Sequence, residues 1–438
     1  MNAADFAIRT LGPATLPSPL LRGDPEASEH VMVEEGDAVL VDDSLREVRA
    51  LLAAGRELPC LERAGPRHKL FFRPERVTLG VVTCGGLCPG LNNVLRSLVM
   101  TAVHHYGVRR ILGFRYGYRG LVDPDGHVEL TPQVVAEIHA QGGSILASSR
   151  GRQDTGQMLD GLQRLGVDVL FVIGGDGSMH GALDLATEIA RRGLAIGVVG
   201  IPKTIDNDLC FMDQTFGFQT AMAKAVEAID CAHREAQGAP NGIGLVKLMG
   251  RHSGFIACQA TVASGRPNFT LVPEQPFRLE GAGGFLAALQ RRLASRGSAC
   301  VVVAEGAGQD LLSGNGNGTE RDASGNVRLK DIGTYLAEKI HAHFAAQDIE
   351  INLKYIDPSY IIRSVPANAA DAVFCSALGM HAVHAGLCGK TEMLVGVWHR
   401  HLVHVPIRQV IASRNVVDLG STLWRSVLGA TGQPPRMT

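Results

Sequence analysis

The chain lacks the marks of several protein classes. No uncharged apolar stretch reaches the roughly eighteen residues that a membrane-crossing helix needs. No block of one charge sign interrupts it and the formal net charge is -1, which argues against a nucleic-acid or membrane-surface partner. Its nine cysteines include no CxxC pair. Cys84 and Cys88 share a glycine-rich turn with no second pair or nearby histidine, so no zinc set or disulfide framework is expected, and the thiols read as reduced. Met1 to Thr10 holds no apolar run of signal-peptide length, so the expectation is a soluble, unprocessed cytoplasmic protein. No repeat of solenoid period and no methionine stripe occurs. His381 and His384 are spaced like a metal pair but lack a third ligand, and read as core or interface histidines.

What is present is a soluble α/β pattern. At 438 residues the chain exceeds one ordinary core, so two domains and an appendage are expected, with small molecules as partners. Residues 1 to about 76 carry the weakest pattern: Pro13, Pro17, Pro19 and Pro25 mark an extended arm, and Asp43 to Ala54 one short helix. That arm is expected to pack on the body or on a neighbouring subunit. The body opens with a buried strand, Val77 to Thr83. Its centre is Leu170 to Leu209, where strands Leu170 to Ile173 and Ile196 to Ile201 flank a helix, Met179 to Arg192. A right-handed crossover of this kind sends both following loops to the carboxyl edge of the sheet, where open α/β sheets bind ligands.

The loops carry chemistry. In Gly174-Gly175-Asp176-Gly177-Ser178, glycines let backbone amides approach an anion, Asp176 can hold a divalent cation, and Ser178 places a hydroxyl at a helix start, as a nucleotide phosphate site requires. The loop Pro202 to Asp208 sets Lys203, Thr204, Asp206 and Asp208 together, which suits a base that takes a proton from an alcohol beside a polyanion. Gly85, Gly86 and Gly90 form a further cradle before the helix Asn92 to His104, matching neither common phosphate-loop template. Gly142 to Leu146 reads as a strand leading to Arg150, a residue able to clasp a phosphate bidentately. The strand Gly242 to Leu248 leads to Met249, Gly250 and Arg251, the last placed for transition-state charge, and Cys300 to Ala304 leads to Glu305, either an acceptor for a sugar hydroxyl or a solvated strand-end acid. Lys354, Tyr360 and Arg363 lie in a strand-like segment as donors for a phosphomonoester. Ser313 to Gly318 reads as a mobile surface loop. Acids, lysine, arginine and glycines gathered at five strand ends point to phosphoryl transfer to a sugar hydroxyl rather than to tight turns alone.

At these loops the chain resembles the 6-phosphofructokinase family from about Val77 to Gln433. The motifs are GGLCPG (Gly85 to Gly90), GGDGS (Gly174 to Ser178), PKTIDND (Pro202 to Asp208), MGRHSG (Met249 to Gly254) and KYIDPSYIIRS (Lys354 to Ser364), in family order. NAD and lipid kinases share only the GGDG element, and a non-catalytic subunit would have lost Asp206, Asp176 or Arg251. The resemblance implies two Rossmann-like α/β domains with mainly parallel sheets and the active site in the cleft between them, plus the amino-terminal extension over residues 1–76. It implies a donor domain over 77–215 with 365–412 returning to it, and a sugar-phosphate domain over 216–364 with 413–438 returning. Asp206 would be the base for the sugar 1-hydroxyl, with Lys203, Thr204 and Asp208 beside it, and Arg251 would steady the transferring phosphoryl. Met249, Gly250 and Glu305 would hold the sugar, and Lys354, Tyr360 and Arg363 its 6-phosphate. Gly86, Arg150, Gly175, Gly177 and Ser178 would line the donor site, and Asp176 would serve Mg²⁺.

Gly177 is the residue of ATP-dependent members, where pyrophosphate-dependent ones carry an aspartate that would fill the α-phosphate position. Lys203 is usual in the pyrophosphate enzymes. Their combination, with the long arm, resembles the plant and trypanosomatid branch, and implies ATP as donor with pyrophosphate as the alternative. Gly242 falls where simple bacterial members place an arginine that reaches a neighbour's sugar phosphate. The resemblance further implies a homo-oligomer, dimer or tetramer, and an allosteric enzyme whose effectors do not carry over. Fructose 6-phosphate and sedoheptulose 7-phosphate both offer the required 1-hydroxyl and distal phosphate.

Overall fold

Runs of aliphatic and β-branched residues build the two largest sheets among the described residues, each in its own compact unit. The computed structural model describes residues 2–21, 32–312 and 328–437; Pro25 and the loop expected at Ser313 to Gly318 lie outside them. The first unit comprises Met1–Thr204, Leu209–Gly217 and Ser364–Arg414, and the second Ile205–Asp208, Phe218–Arg363 and Asn415–Thr438. Among the described residues no helix is long and apolar enough to cross a membrane.

The first unit holds a seven-stranded sheet in the order His401–Pro406, Met393–Trp398, Gly197–Pro202, Val169–Gly174, Thr78–Thr83, Arg110–Phe114, His127–Glu129. The edge strands His401–Pro406 and His127–Glu129 are antiparallel to their neighbours and the five between are parallel. Every residue of Thr78–Thr83, Val169–Gly174 and Gly197–Pro202 is buried, as expected of parallel strands covered on both faces. From Thr78–Thr83 the chain moves to one side and then returns to Val169–Gly174 on the other, so these two strands flank the switch point where such sheets bind ligands.

The amino-terminal arm packs on this unit. Arg9–Thr10 pairs with Lys390–Thr391, the Arg9 guanidinium lies 2.7 Å from Glu392, and Glu62 takes hydrogen bonds from Lys390 at 2.9 Å and Arg67 at 2.9 Å. Trp398 Nε1 donates to Val41 O at 2.9 Å. The short helix forms over Leu45–Ala53.

The second unit holds four parallel strands in the order Phe269–Leu271, Ser298–Ala304, Gly242–Leu248, Asn352–Ile356. Ile243, Leu245, Val301 and Val303 face a core completed by Phe277, Phe285, Leu336 and Phe344. On the other face, helix Phe218–Gln237 lies so close that a Cβ at Gly242 would meet the Ala236 carbonyl, and one at Gly244 the Ala232 carbonyl. The arginine of simple bacterial family members therefore has no room here without moving the helix. Gly242→Arg is expected to cost about 1–3 kcal/mol by overpacking, read from the denaturation midpoint; an unchanged midpoint would mean the helix yields freely.

Two segments differ from expectation. Gly142 to Leu146 forms no strand: the Ile145 amide is spent on Asn92 Oδ1 at 3.0 Å, Thr83 Oγ1 donates to Ala147 O at 2.6 Å, and Ala147 takes a positive φ of 52°. Arg150 thus follows a pinned turn. Lys354 to Ser364 is divided into strand Asn352–Ile356 and helix Ser359–Ser364, because Pro358 cannot donate to a ladder and the Asp357 carboxylate accepts the Ser359 amide at 3.1 Å.

Candidate active site

The sequence-predicted residues fall in both units. In the first unit, three loops are laced together beside the switch point. Cys84 N donates to Ile173 O at 2.9 Å, Gly85 N to Ser149 O at 3.2 Å, and Ser148 Oγ to Gly85 O at 2.6 Å, which fixes the turn before the exposed Arg150 against the glycine cradle. Lys203 is buried, and its ammonium donates to Gly86 O at 2.9 Å while its amide donates to Gly174 O at 3.0 Å. One lysine therefore ties the cradle to the GGDGS loop and brings positive charge there. Thr204 O accepts from Thr215 Oγ1 at 2.6 Å.

The helix after GGDGS begins at Asp176 and runs to Arg191, earlier than expected, so Asp176, Gly177 and Ser178 occupy its first turn. The helix N-terminus favours anions there. Gly175 sits where a Cβ would press on Lys203 O at 3.0 Å, whereas a Cβ at Gly177 would meet no heavy atom within 4 Å. The buried Tyr118 hydroxyl donates to Ser178 O at 2.6 Å and so braces this turn, a role its sequence did not signal. Asp176 Oδ2 accepts from Arg414 Nη2 at 3.0 Å, and His180 Nδ1 lies 3.7 Å from Oδ1. Arg414, remote in sequence, was also missed.

In the second unit, Asp206 to Asp208 forms a turn held from two sides: Ser253 Oγ donates to Asp206 O at 2.9 Å, and Asn415 donates its amide to Asp208 O at 3.0 Å and its side chain to Asn207 O at 3.1 Å. Burial, and then the charges of Asp208 and Glu305, push the Asp206 carboxyl up to about 8, against the Arg251 backbone amide and guanidinium, which pull it down. Glu305 is also raised, chiefly by burial, while Arg251, Arg363 and Lys247 oppose the shift. Glu305 N donates to Leu248 O at 2.8 Å and Gly306 N to Gly250 O at 3.1 Å, so Glu305 is set beside Met249, Gly250 and Arg251. Gly250 has a φ of 126°, reserved in practice for glycine, and a Cβ there would strike Ser253 O. Met249 is buried. Glu274 Oε1 accepts the amides of Gly254 and Val417 at 2.9 and 2.8 Å, which anchors the far side of the MGRHSG turn. Lys354 projects from its strand exposed, Tyr360 is 81% exposed, and the Arg363 guanidinium lies 5.5 Å from the Tyr360 ring centroid.

A carboxylate held in its protonated form until late in the pH range, with a cation and two further carboxylates around it, is fit to accept a proton from an alcohol. The sign is direct: the base must be ionised, so kcat/KM for the free enzyme is expected to rise with pH up to about 8 and then level. A profile levelling instead near 6, where a sugar phosphate's own second ionisation falls at roughly that pH, would remove Asp206 as the titrating group.

Among the described residues no three His, Cys, Asp or Glu side chains converge as a metal site. His384, buried, bonds Tyr106 at 2.6 Å, as a core histidine does. None of the nine cysteines forms a disulfide.

Glycine-rich loops at an α/β switch point, in one chain with a buried, raised carboxyl, are the arrangement expected of a small-molecule kinase. The family model described as Phosphofructokinase matches residues 78–386, and the chain belongs to that family. It is 50% identical over 442 residues to the "ATP-dependent 6-phosphofructokinase" of Amycolatopsis methanolica, covering 99% of this chain and 96% of that one. It is 45% identical over 412 residues to the Trypanosoma cruzi enzyme of the same name, with 92% and 84% covered. It is also 45% identical over 396 residues to Arabidopsis thaliana "ATP-dependent 6-phosphofructokinase 7", with 90% and 81% covered. The resemblance to the plant and trypanosomatid branch is thereby borne out. Among solved structures, a pyrophosphate-dependent phosphofructokinase of Marinobacter aquaeolei aligns with TM-score 0.66 at 20% identity, over 81% of this chain and 91% of that chain. Pichia pastoris phosphofructokinase aligns with TM-score 0.64 at 22%, over 81% and 37%. At these identities the likeness is one of fold.

Proposed function

We propose that the protein transfers the terminal phosphoryl group of ATP to the 1-hydroxyl of D-fructose 6-phosphate, giving fructose 1,6-bisphosphate and ADP in glycolysis. The observation that carries this reading is the acceptor set, Asp206 with Asp208, Glu305 and Arg251, in a chain 50% identical to an ATP-dependent 6-phosphofructokinase. In this reading Asp206 takes the hydroxyl proton, Thr204 and Asp208 orient the sugar, and Arg251 steadies the charge on the transferring group. Met249, Gly250 and Glu305 hold the sugar, and Lys354, Tyr360 and Arg363 its 6-phosphate. On the donor side Gly86, Arg150, Gly175, Gly177 and Ser178 cradle the nucleotide phosphates, with Lys203 supplying charge.

Mg²⁺ fits this donor set as a cation that arrives with the nucleotide. Asp176 offers one carboxylate, itself bonded to Arg414, and such an ion takes most of its ligands from phosphate and water. When bound it would neutralise charge on the phosphates. We also propose a cytoplasmic, homo-oligomeric enzyme; the exposed Tyr360 and Ile361, at 81% and 64%, support an assembly that covers them.

Phosphorus NMR of the product made from fructose 6-phosphate, ATP and Mg²⁺ tests the reaction. A new phosphomonoester on C1 is expected. No product, or a phosphate on another carbon, would refute it.

A further inference from the structure

The strand Gly242–Leu248 contains one charged residue, Lys247, on the central run of the second unit's sheet. A charge placed there is costly unless paired. Its side chain is 12% exposed, and its ammonium meets two carboxylates from separate parts of the chain: Asp357 Oδ2 at 2.8 Å and Asp331 Oδ2 at 3.3 Å. Each carboxylate turns its other oxygen to a helix start. Asp357 Oδ1 accepts the Ser359 amide at 3.1 Å, and Asp331 Oδ1 accepts the amides of Gly333 at 3.0 Å and Thr334 at 3.2 Å. The Tyr355 hydroxyl closes the group on Asp331 Oδ1 at 3.3 Å. Burial alone would lower the Lys247 ammonium, but Asp357, Tyr355 and Asp331 outweigh it and keep it firmly protonated.

We infer that Lys247 is a positioning residue for the sugar phosphate. Its ion pair with Asp357 ties the helix carrying Tyr360 and Arg363 to the strand whose next residues are Met249, Gly250 and Arg251. The two groups of sugar-phosphate contacts come from segments far apart in sequence, and this ammonium is a direct link between their backbones' anchoring residues. The same ammonium adds to the positive field that favours the ionised form of Glu305. Without it Asp331 and Asp357 would face one another as like charges, and the Ser359–Ser364 helix would lose its tether.

The inference rests on the proposed reaction and is tested in the full-length enzyme. Lys247→Met is expected to raise KM for fructose 6-phosphate about tenfold while kcat stays within about threefold and KM for ATP is unchanged. Lys247→Arg is expected to recover most of the loss, because a guanidinium can still bond both carboxylates. Should Lys247→Met fail to fold, Asp357→Asn, which keeps a carbonyl for Ser359 but removes the ion pair, is expected to give the same pattern. An unchanged KM for the sugar phosphate overturns the inference, as does an equal rise in both KM values without rescue by arginine. Calorimetric binding of fructose 6-phosphate separates the two readings. A wild type that binds but does not transfer refutes the reaction and leaves the inference to the ratio of dissociation constants, expected to be about tenfold between Lys247→Met and wild type; equal constants overturn it.

Discussion

Asp206→Asn is expected to lower kcat by roughly 10²–10⁴ while leaving fructose 6-phosphate binding largely intact, the size and pattern of a lost general base. The amide has the shape of the carboxyl and keeps an oxygen for the Arg251 amide, so the turn held by Ser253 and Asn415 need not move. The same substitution removes a charge that the fold resists. Because the folded carboxyl is raised from its ordinary 3.8 to about 8, the folded chain binds protons more readily than the unfolded chain and loses stability as pH rises between those values. Asparagine abolishes that loss, so the variant is expected to melt no lower than wild type at neutral pH. The rising limb of the kcat/KM profile disappears with it. Near-wild-type turnover of the folded variant would take Asp206 out of this role, and melting below wild type at neutral pH would contradict the raised carboxyl.

Gly177→Asp is expected to depress kcat/KM for ATP on the order of 10²-fold or more, since juxtaposing like charges costs several kcal/mol, with a much smaller effect on pyrophosphate. The position isolates the donor: a Cβ there meets nothing within 4 Å, and an acid in the first turn of a helix is favourable, so the fold itself has no reason to object. In the proposed donor site the new carboxylate would fill the room an adenylate needs, whereas pyrophosphate would end short of it. Equal losses with both donors would show that Gly177 sets affinity for phosphate in general and not the choice of donor.

The strands that carry the site were legible because their physics is local. Val169–Gly174 is buried throughout and reads as an unbroken apolar run, and Gly242–Leu248 as one broken only by Lys247, each ending in a glycine loop. Helix starts were less so: glycine's poor propensity hid the fact that the GGDGS loop is already the first turn of its helix. Strands Met393–Trp398 and His401–Pro406 escaped notice because the turn between them uses His399 and Arg400 at φ of 48° and 66°, without the glycine or asparagine that announces a hairpin. The apolar content of Gly142 to Leu146 misled because its amides bond to side chains, which no periodicity reveals. Asp206, Arg251 and Glu305 could be named from their places after strand ends. Tyr118, Arg414 and Lys247 could not, since each acts through a partner distant in sequence: Ser178, Asp176 and Asp357. Lys247 in particular lies within a strand pattern that names no partner for it, and its side chain is mostly buried between two carboxylates.

The most direct test is the initial rate on fructose 6-phosphate and Mg²⁺ with ATP and pyrophosphate titrated in parallel, each yielding kcat/KM. A strong preference for ATP is expected, with Gly177 leaving space for the nucleotide and Lys203 serving the phosphates from its seat on Gly86. A preference for pyrophosphate would contradict it: Lys203 would then outweigh Gly177, and the enzyme would run near equilibrium in both directions rather than committing sugar phosphate one way.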